Sequence, residues 1–197
     1  MRIISGRYKG RVLYSPKSKL IRPTSDKIKE FIFDYIGETI KDAVVLDLYS
    51  GTGNLSVEAL SRGARFAVLV DNSKEAIRLI YRNLELTNFL SHSQIVEQDV
   101  LRYLKKAIRH NKNKFDIILA DPPYFVNNYQ YIFEYIGSDN LLQYGGFFVL
   151  EHSSQKKIDV HLVSLVKETT KVFGDTAVTF YKKKGNPLAT WNISGNI

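Results

Sequence analysis

No cysteine occurs among the 197 residues, which excludes a disulfide framework, a thiolate zinc site and a cysteine nucleophile, and fits a reducing compartment. No apolar run approaches the roughly 20 residues that span a bilayer. The opening Met1-Arg2-Ile3-Ile4-Ser5-Gly6-Arg7 lacks the long apolar stretch of a signal peptide. A soluble, cytoplasmic product without a membrane partner is the expectation. There is no repeat of solenoid length and no low-complexity linker, so one core with a small appendage is expected. Nothing suggests an obligate dimer or a metal site.

Acid is scarce where base is dense. From Arg2 to Arg22 there are seven basic residues and no acid, and six more lie between Asp99 and Asp116, again without acid. Lys182-Lys183-Lys184 forms a third block, and the net charge is +8. One such block is usually a solvated face. Three with little compensating acid favour a polyanionic partner, nucleic acid above all.

What is present is an alternation of strand and helix signals. Residues 1–22 read as short β segments punctuated by Gly6, Gly10 and Pro16, a candidate hairpin. Thr24-Ser25-Asp26 can cap a helix whose Ile28, Phe31, Ile32, Tyr35 and Ile36 make an apolar stripe, with Gly37 as its stop. Strands follow at 43–48, 66–71, 94–99, 115–121 and 146–151, with helices after the first three, the second opened by an Asn72/Glu75 capping pair. Two further β stretches, 169–173 and 176–182, meet at Gly174-Asp175 as a hairpin. This predicts a doubly wound α/β domain, mostly parallel, with an antiparallel edge hairpin and a small N-terminal β extension.

The first strand runs into Asp47-Leu48-Tyr49-Ser50-Gly51-Thr52-Gly53. Gly51 and Gly53 let the backbone turn sharply and approach a ligand. Asp71, twenty residues after Gly51, ends the second strand, where an acid can bind ribose hydroxyls. Ser56 stands where a dinucleotide fingerprint has its third glycine. Asp47 also argues against pyrophosphate, because a carboxylate ahead of the glycines would repel it, whereas a ligand carrying an ammonium and a sulfonium would be attracted. Asp99 and Val100, at the end of the third strand, can hold an adenine, or Asp99 can simply cap the next helix.

Asp121-Pro122-Pro123-Tyr124 directly follows the fourth strand, at the edge where doubly wound folds bind ligands. The exocyclic amine of a base is a weak nucleophile because its lone pair is delocalised into the ring. Acceptors aimed at its two hydrogens favour the tetrahedral geometry that attack requires. Asp121 can supply one acceptor and the carbonyl of Pro122 another. The prolines stiffen the turn, and Tyr124 offers a flat face to a base swung out of its stack.

The ordered set Arg2 to Arg11, Arg22-Pro23-Thr24-Ser25-Asp26-Lys27, Asp47 to Gly53, Glu58 to Ala64 and Asp121 to Tyr124 resembles the RsmD-type 16S ribosomal RNA guanine-N2 methyltransferases, over essentially the whole chain. The resemblance implies a Rossmann-like methyltransferase domain at 24–197, a basic hairpin extension at 1–23 and S-adenosylmethionine as cofactor. It implies a cofactor pocket from Asp47, Tyr49, Ser50, Gly51, Gly53, Asn54, Asp71, Asn72, Asp99, Val100 and Asp121. By the same resemblance Asp121, Pro122 and Tyr124 are expected to hold the target guanine, and Arg2, Arg7, Lys9, Arg11, Arg22 and Thr24 to contact RNA. The partner implied is the small ribosomal subunit or its assembly intermediate, met by a monomer. Tyr49-Ser50 and Thr52 replace the Phe-Ala and Ser of the pattern. A DNA adenine or cytosine amino-methyltransferase shares the Asp-Pro-Pro-Tyr chemistry, but there is no length for a sizeable target-recognition domain. A non-catalytic RNA-binding module explains the charge alone.

Overall fold

The computed structural model describes residues 1–16, 24–110, 114–123, 129–138, 141–158 and 164–185. Seven strands build one sheet: β1 (Val44–Leu48), β2 (Phe66–Asp71), β3 (Ser93–Glu97), β4 (Phe115–Ala120), β5 (Leu142–Ser153), β6 (Leu165–Phe173) and β7 (Thr176–Lys183). Their order is β3-β2-β1-β4-β5-β7-β6. The first five are parallel, and β7 runs antiparallel to both β5 and β6. The expected sheet class and edge hairpin are therefore present. Strand order reverses between β1 and β4, which opens a crevice at their carboxyl ends.

Alternate side chains divide between two cores, as a sheet covered on both faces requires. Val45, Leu69, Ile117, Val149 and Phe180 point to one face, under α1 (Asp26–Ile36), α2 (Asn54–Ser61) and α3 (Lys74–Leu86). Leu46, Val70, Ile118, Phe148 and Tyr181 point to the other, under α4 (Val100–His110) and α5 (Tyr129–Gly137). Tyr129, Ile132, Phe133 and Ile136 are the buried stripe of α5, a helix absent from the sequence expectation although its i, i+3, i+4, i+7 spacing is regular.

Capping follows the sequence with one correction. The Ser25 side chain accepts from the Ile28 N–H at the start of α1, and Gly37 ends that helix at φ +58°. The cap of α3 is Ser73, which accepts from the Ala76 N–H, and not Asn72. In α1 the expected stripe splits: Ile28, Ile32 and Ile36 enter the core, whereas Phe31 and Tyr35 meet Phe173 and Phe180 of the edge hairpin. Ring centroids there are 5.4 Å apart for Phe31–Phe173 and 4.2 Å for Tyr35–Phe180. These contacts fasten the hairpin to α1.

The N-terminal segment is a short antiparallel hairpin, as the sequence suggested, laid as a strap against α2. Among the described residues its arms meet at an Arg2–Val12 bridge, where the Ile3 N–H donates to the Arg11 carbonyl (3.0 Å) and the Leu13 N–H to the Met1 carbonyl (3.1 Å), and Ile3 and Leu13 are buried in the core. Both oxygens of Glu58 on α2 hold it, accepting from the N–H groups of Ile4 (2.8 Å) and Ser5 (3.0 Å). Ser61 holds it again: its hydroxyl donates to the Ser5 carbonyl and accepts from the Tyr8 N–H, and its carbonyl accepts from the Arg7 N–H. At the far end Asn83 of α3 pairs with both backbone groups of Tyr14. Satisfying these buried groups offsets their desolvation. Among the described residues, no helix is long and apolar enough to cross a membrane.

Gly6 makes the close approach possible. It sits at φ +78°, and a Cβ there would lie 1.8 Å from the Ser61 carbonyl oxygen, on backbone that cannot yield. Gly10 shares the left-handed conformation at φ +86° but faces open space. Gly10→Ala should therefore cost about 1–2 kcal/mol of backbone strain, and Gly6→Ala clearly more, by lifting the strap from α2. Denaturant titration of both variants measures this, and equal midpoints would contradict the docking described.

Candidate active site

The crevice at the sheet reversal is a cavity of about 960 Å³, in the range of pockets that take whole cofactors or substrates. Its inner wall comes from the β1 loop (Asp47, Tyr49 to Thr52), the start of α2 (Asn54, Leu55) and the β2 end (Asp71 to Ser73, with Ala76). Across from these stand Asp121, Pro122 and Pro123. The register explains that juxtaposition: Leu48 pairs with Ala120, so the two strands end together, and the Asp121 N–H reaches the Leu48 carbonyl at 3.4 Å.

The β1 loop is wound tightly. Tyr49, Gly51 and Gly53 all adopt positive φ, at 60°, 56° and 73°. For tyrosine this is a costly conformation, of the kind held at functional sites by surrounding structure. Ser50 supplies the hold: its hydroxyl donates to the Asp47 carbonyl and accepts from the Val70 N–H, while its own N–H donates to the Val70 carbonyl. Gly51 donates its N–H to Asp71 at 2.9 Å, and the other Asp71 oxygen accepts from the Ser73 N–H. Each Asp71 oxygen keeps a second lone pair, on a residue that lines the cavity. Gly53 plays a different part from that expected. It does not line the cavity, and a Cβ there would press on Leu69 and Ile80, so its small size serves helix–sheet packing.

Asp47 is 2% exposed and accepts from the Ser56 hydroxyl at 2.6 Å and from the Ser56 backbone N–H. The positive start of α2, where a dinucleotide's pyrophosphate would sit, is thus already occupied by the protein's own carboxylate. Ser56, the departure from the dinucleotide fingerprint, is the residue that holds it there. A ligand with ribose hydroxyls and positive charge fits this donor set; an anionic phosphate at the loop does not. Burial, partly countered by the Ser56 bonds, pushes the Asp47 carboxyl up to about 7. Burial, with Asp99 nearby, pushes the Tyr49 hydroxyl up to about 12.

The other expected residues are distributed unevenly. Asn54 and Asn72 line the cavity. The Asn54 side chain, however, is committed internally, accepting from Lys29 Nζ (2.9 Å) and donating to the Thr24 carbonyl (3.2 Å). Asp99 and Val100 are not among the lining residues; Asp99 accepts from the Arg102 N–H and caps α4. Thr24 is buried in the cleft wall, where its hydroxyl donates to Glu151, and so is not on an outer surface. Arg2 pairs with Asp26 at 2.9 Å. Arg7 and Arg11 both lie over the Tyr8 ring, beside the last residues of α2 and α3, Ser61 and Leu86. At about 1.5 Å per residue, that places them a full helix length from the cleft. Lys9 is exposed in the same turn. Tyr124 and Arg22 lie outside the described residues.

Two features were missed from sequence. Lys29, wholly buried, joins Asn54, Glu58 and the Arg2 carbonyl, with Asp26 at 3.9 Å. Burial lowers its pKa, and Glu58 and Asp26 counter that shift. A lysine between the apolar positions Ile28, Ile32 and Phe33 was the available signal. The second is the outer wall, made by Thr24, Lys27 and Ile28 together with Lys171 to Gly174 of the edge hairpin.

The family model described as conserved hypothetical protein 95 matches residues 1–182. A Bacillus subtilis protein provisionally named rRNA methyltransferase YlbH is 36% identical over 185 residues, covering 94% of this chain and 100% of the other. Ribosomal RNA small subunit methyltransferase D of Haemophilus influenzae is 30% identical over 172 residues, covering 86% and 88%. Among solved structures, an Escherichia coli protein provisionally named methyltransferase YhhF superposes with a TM-score of 0.83 at 24% identity, over 93% of this chain and 98% of that one. The fold is the Rossmann-like methyltransferase fold.

Asp47 has a consequence for stability. Its folded pKa, about 7, lies above the ordinary carboxylate value, so its favourable contribution is complete below about pH 4 and is lost as pH rises through 7. Melting of the ligand-free protein between pH 5 and 8 should decline more steeply than that of Asp47→Asn, which cannot ionise. Parallel curves would contradict the buried, proton-holding carboxyl.

Proposed function

We propose how this chain acts from the premise that it belongs to the family of conserved hypothetical protein 95, the RsmD-type methyltransferases: it methylates ribosomal RNA, on the N2 amine of a guanine in the small subunit, with S-adenosylmethionine as donor. Two relatives named as rRNA methyltransferases, matched over 100% and 88% of their lengths, support the RNA class. The observation that carries the rest is Asp121-Pro122 facing Asp71 and the β1 loop across one cleft.

On this reading the cofactor supplies an electrophilic methyl on a positively charged sulfur. Asp71 would take the ribose hydroxyls with its spare lone pairs, and the β1 loop would lie along the methionine end. Asp47, at the start of α2, sets a negative potential suited to a cation once it ionises. Asp121 and the Pro122 carbonyl accept from the two hydrogens of the target amine. Bound there, the cofactor would supply the methyl group and take the bonding pair on its sulfur, while Asp121 and Pro122 would hold the amine nitrogen that receives the methyl. The methylated nitrogen then releases a proton to Asp121 or to water. Alignment supplies much of the rate. Tyr124 is the stacking face proposed for the extruded base. The basic N-terminal strap, 1–23, is an RNA-contacting extension of the catalytic domain 24–197, and the protein acts as a monomer.

Labelled cofactor and undermethylated small subunits test this. Label should map to N2 of a guanine, and Asp121→Asn should reduce transfer by about two to three orders of magnitude while cofactor affinity changes only a few-fold. Label in DNA but not in RNA would transfer the assignment to DNA amines. Full activity in Asp121→Asn would remove the acceptor role.

A further inference from the structure

The cofactor does not account for the outer wall of the cleft. S-adenosylmethionine carries no phosphate, yet two lysines from separate elements line that wall: Lys27 in the first turn of α1 and Lys171 at the end of β6. Both are exposed, and among the described residues neither is in an ion pair. The acid beside Lys27, Asp26, is taken by Arg2 and lies near Lys29, so it does not neutralise Lys27. Beside Lys171 stands Val172, 56% exposed at the cleft mouth.

A lysine on an edge strand also deters sheet-to-sheet pairing, and that explains Lys171 taken singly. It does not explain a second lysine, on α1, lining the same cleft. Nor does it explain an exposed valine between Lys171 and a tightly fastened residue. Phe173 packs on Phe31 of α1, and Gly174 turns the chain at φ +61°. The hairpin tip is therefore held in place against α1 and is suited to receive a ligand.

We propose that this wall is a phosphate subsite, in which Lys27 and Lys171 bind the backbone phosphates next to the nucleotide inserted in the cleft, with Val172 against the neighbouring sugar or base. The inference rests on the rRNA reading above and deepens it. Backbone contacts of this kind position a strand without reading its sequence. They lie at the cleft itself, whereas Arg7 and Arg11 lie at the other ends of α2 and α3.

The test is Lys27→Gln/Lys171→Gln against the double arginine variant, on undermethylated small subunits. The glutamine pair should raise KM for the subunit about tenfold with kcat within about twofold, and flatten the logarithmic salt dependence of RNA binding by about 0.7 per phosphate lost. Arginine at both positions should restore both readouts, and calorimetric cofactor affinity should stay unchanged. Unaltered KM and salt slope overturn the subsite. A loss of cofactor affinity with RNA binding intact also overturns it, assigning the lysines to the methionine carboxylate. RNA binding measured without cofactor keeps the two readings separable. If the natural protein transfers no methyl group, the proposed reaction fails, while the salt slopes still decide whether these lysines hold phosphate.

Discussion

One constraint organises the molecule: the reversal of strand order between β1 and β4. Parallel strands on either side of that line send their helices to opposite faces, so nothing covers the gap at their carboxyl ends. Because Leu48 and Ala120 are paired in register, the loops leaving the two strands begin side by side. The glycine loop turns towards β2 and the Asp-Pro-Pro corner borders the same gap. Asp47 and Ser56 then decide what the gap can hold, since a carboxylate at the helix start leaves no place there for a phosphate. The site follows from topology and from one hydrogen-bonded acid.

A second consequence concerns how the N-terminal strap is tied to this site. Glu58 takes two strap N–H groups and pairs with Lys29 and Arg62, and Lys29 in turn orients Asn54 at the cleft. Asn83 clasps Tyr14 and donates to the Thr52 carbonyl of the β1 loop. Strap and loop are thus linked by buried polar bonds through α1, α2 and α3. Such networks are costly when half satisfied and rigid when complete, and among the described residues no buried side-chain polar atom lacks a partner. Arg7 and Arg11, unlike Arg2 at the start of α1, lie at the ends of α2 and α3 away from the cleft.

Periodicity and turn chemistry made most of the fold legible in the sequence. The short apolar runs of the strands, the Ser25 cap, the Gly37 stop and the Gly174 turn all stand where local physics puts them. Local signals fell short where long-range contact decides. The residues after Glu97 leave the sheet, and Asp99 caps α4, one of the two roles its sequence position left open. Gly53 resembles a ligand-facing glycine but answers to Leu69 and Ile80, which are close only after folding. Lys29 reads as a surface charge until Glu58, remote in sequence, is brought beside it. The outer wall was hidden for the same reason: a hairpin at residues 165–183 reaches the cleft only because β7 pairs with β5. The Asp-Pro-Pro corner was legible because its chemistry is local.

The most direct measurement is a crystal structure with S-adenosylhomocysteine bound. The account predicts the ribose against Asp71, the β1 loop along the amino-acid portion, and the sulfur directed at the gap beside Asp121 and Pro122. A ligand seated elsewhere, or a sulfur turned away from that corner, would contradict it.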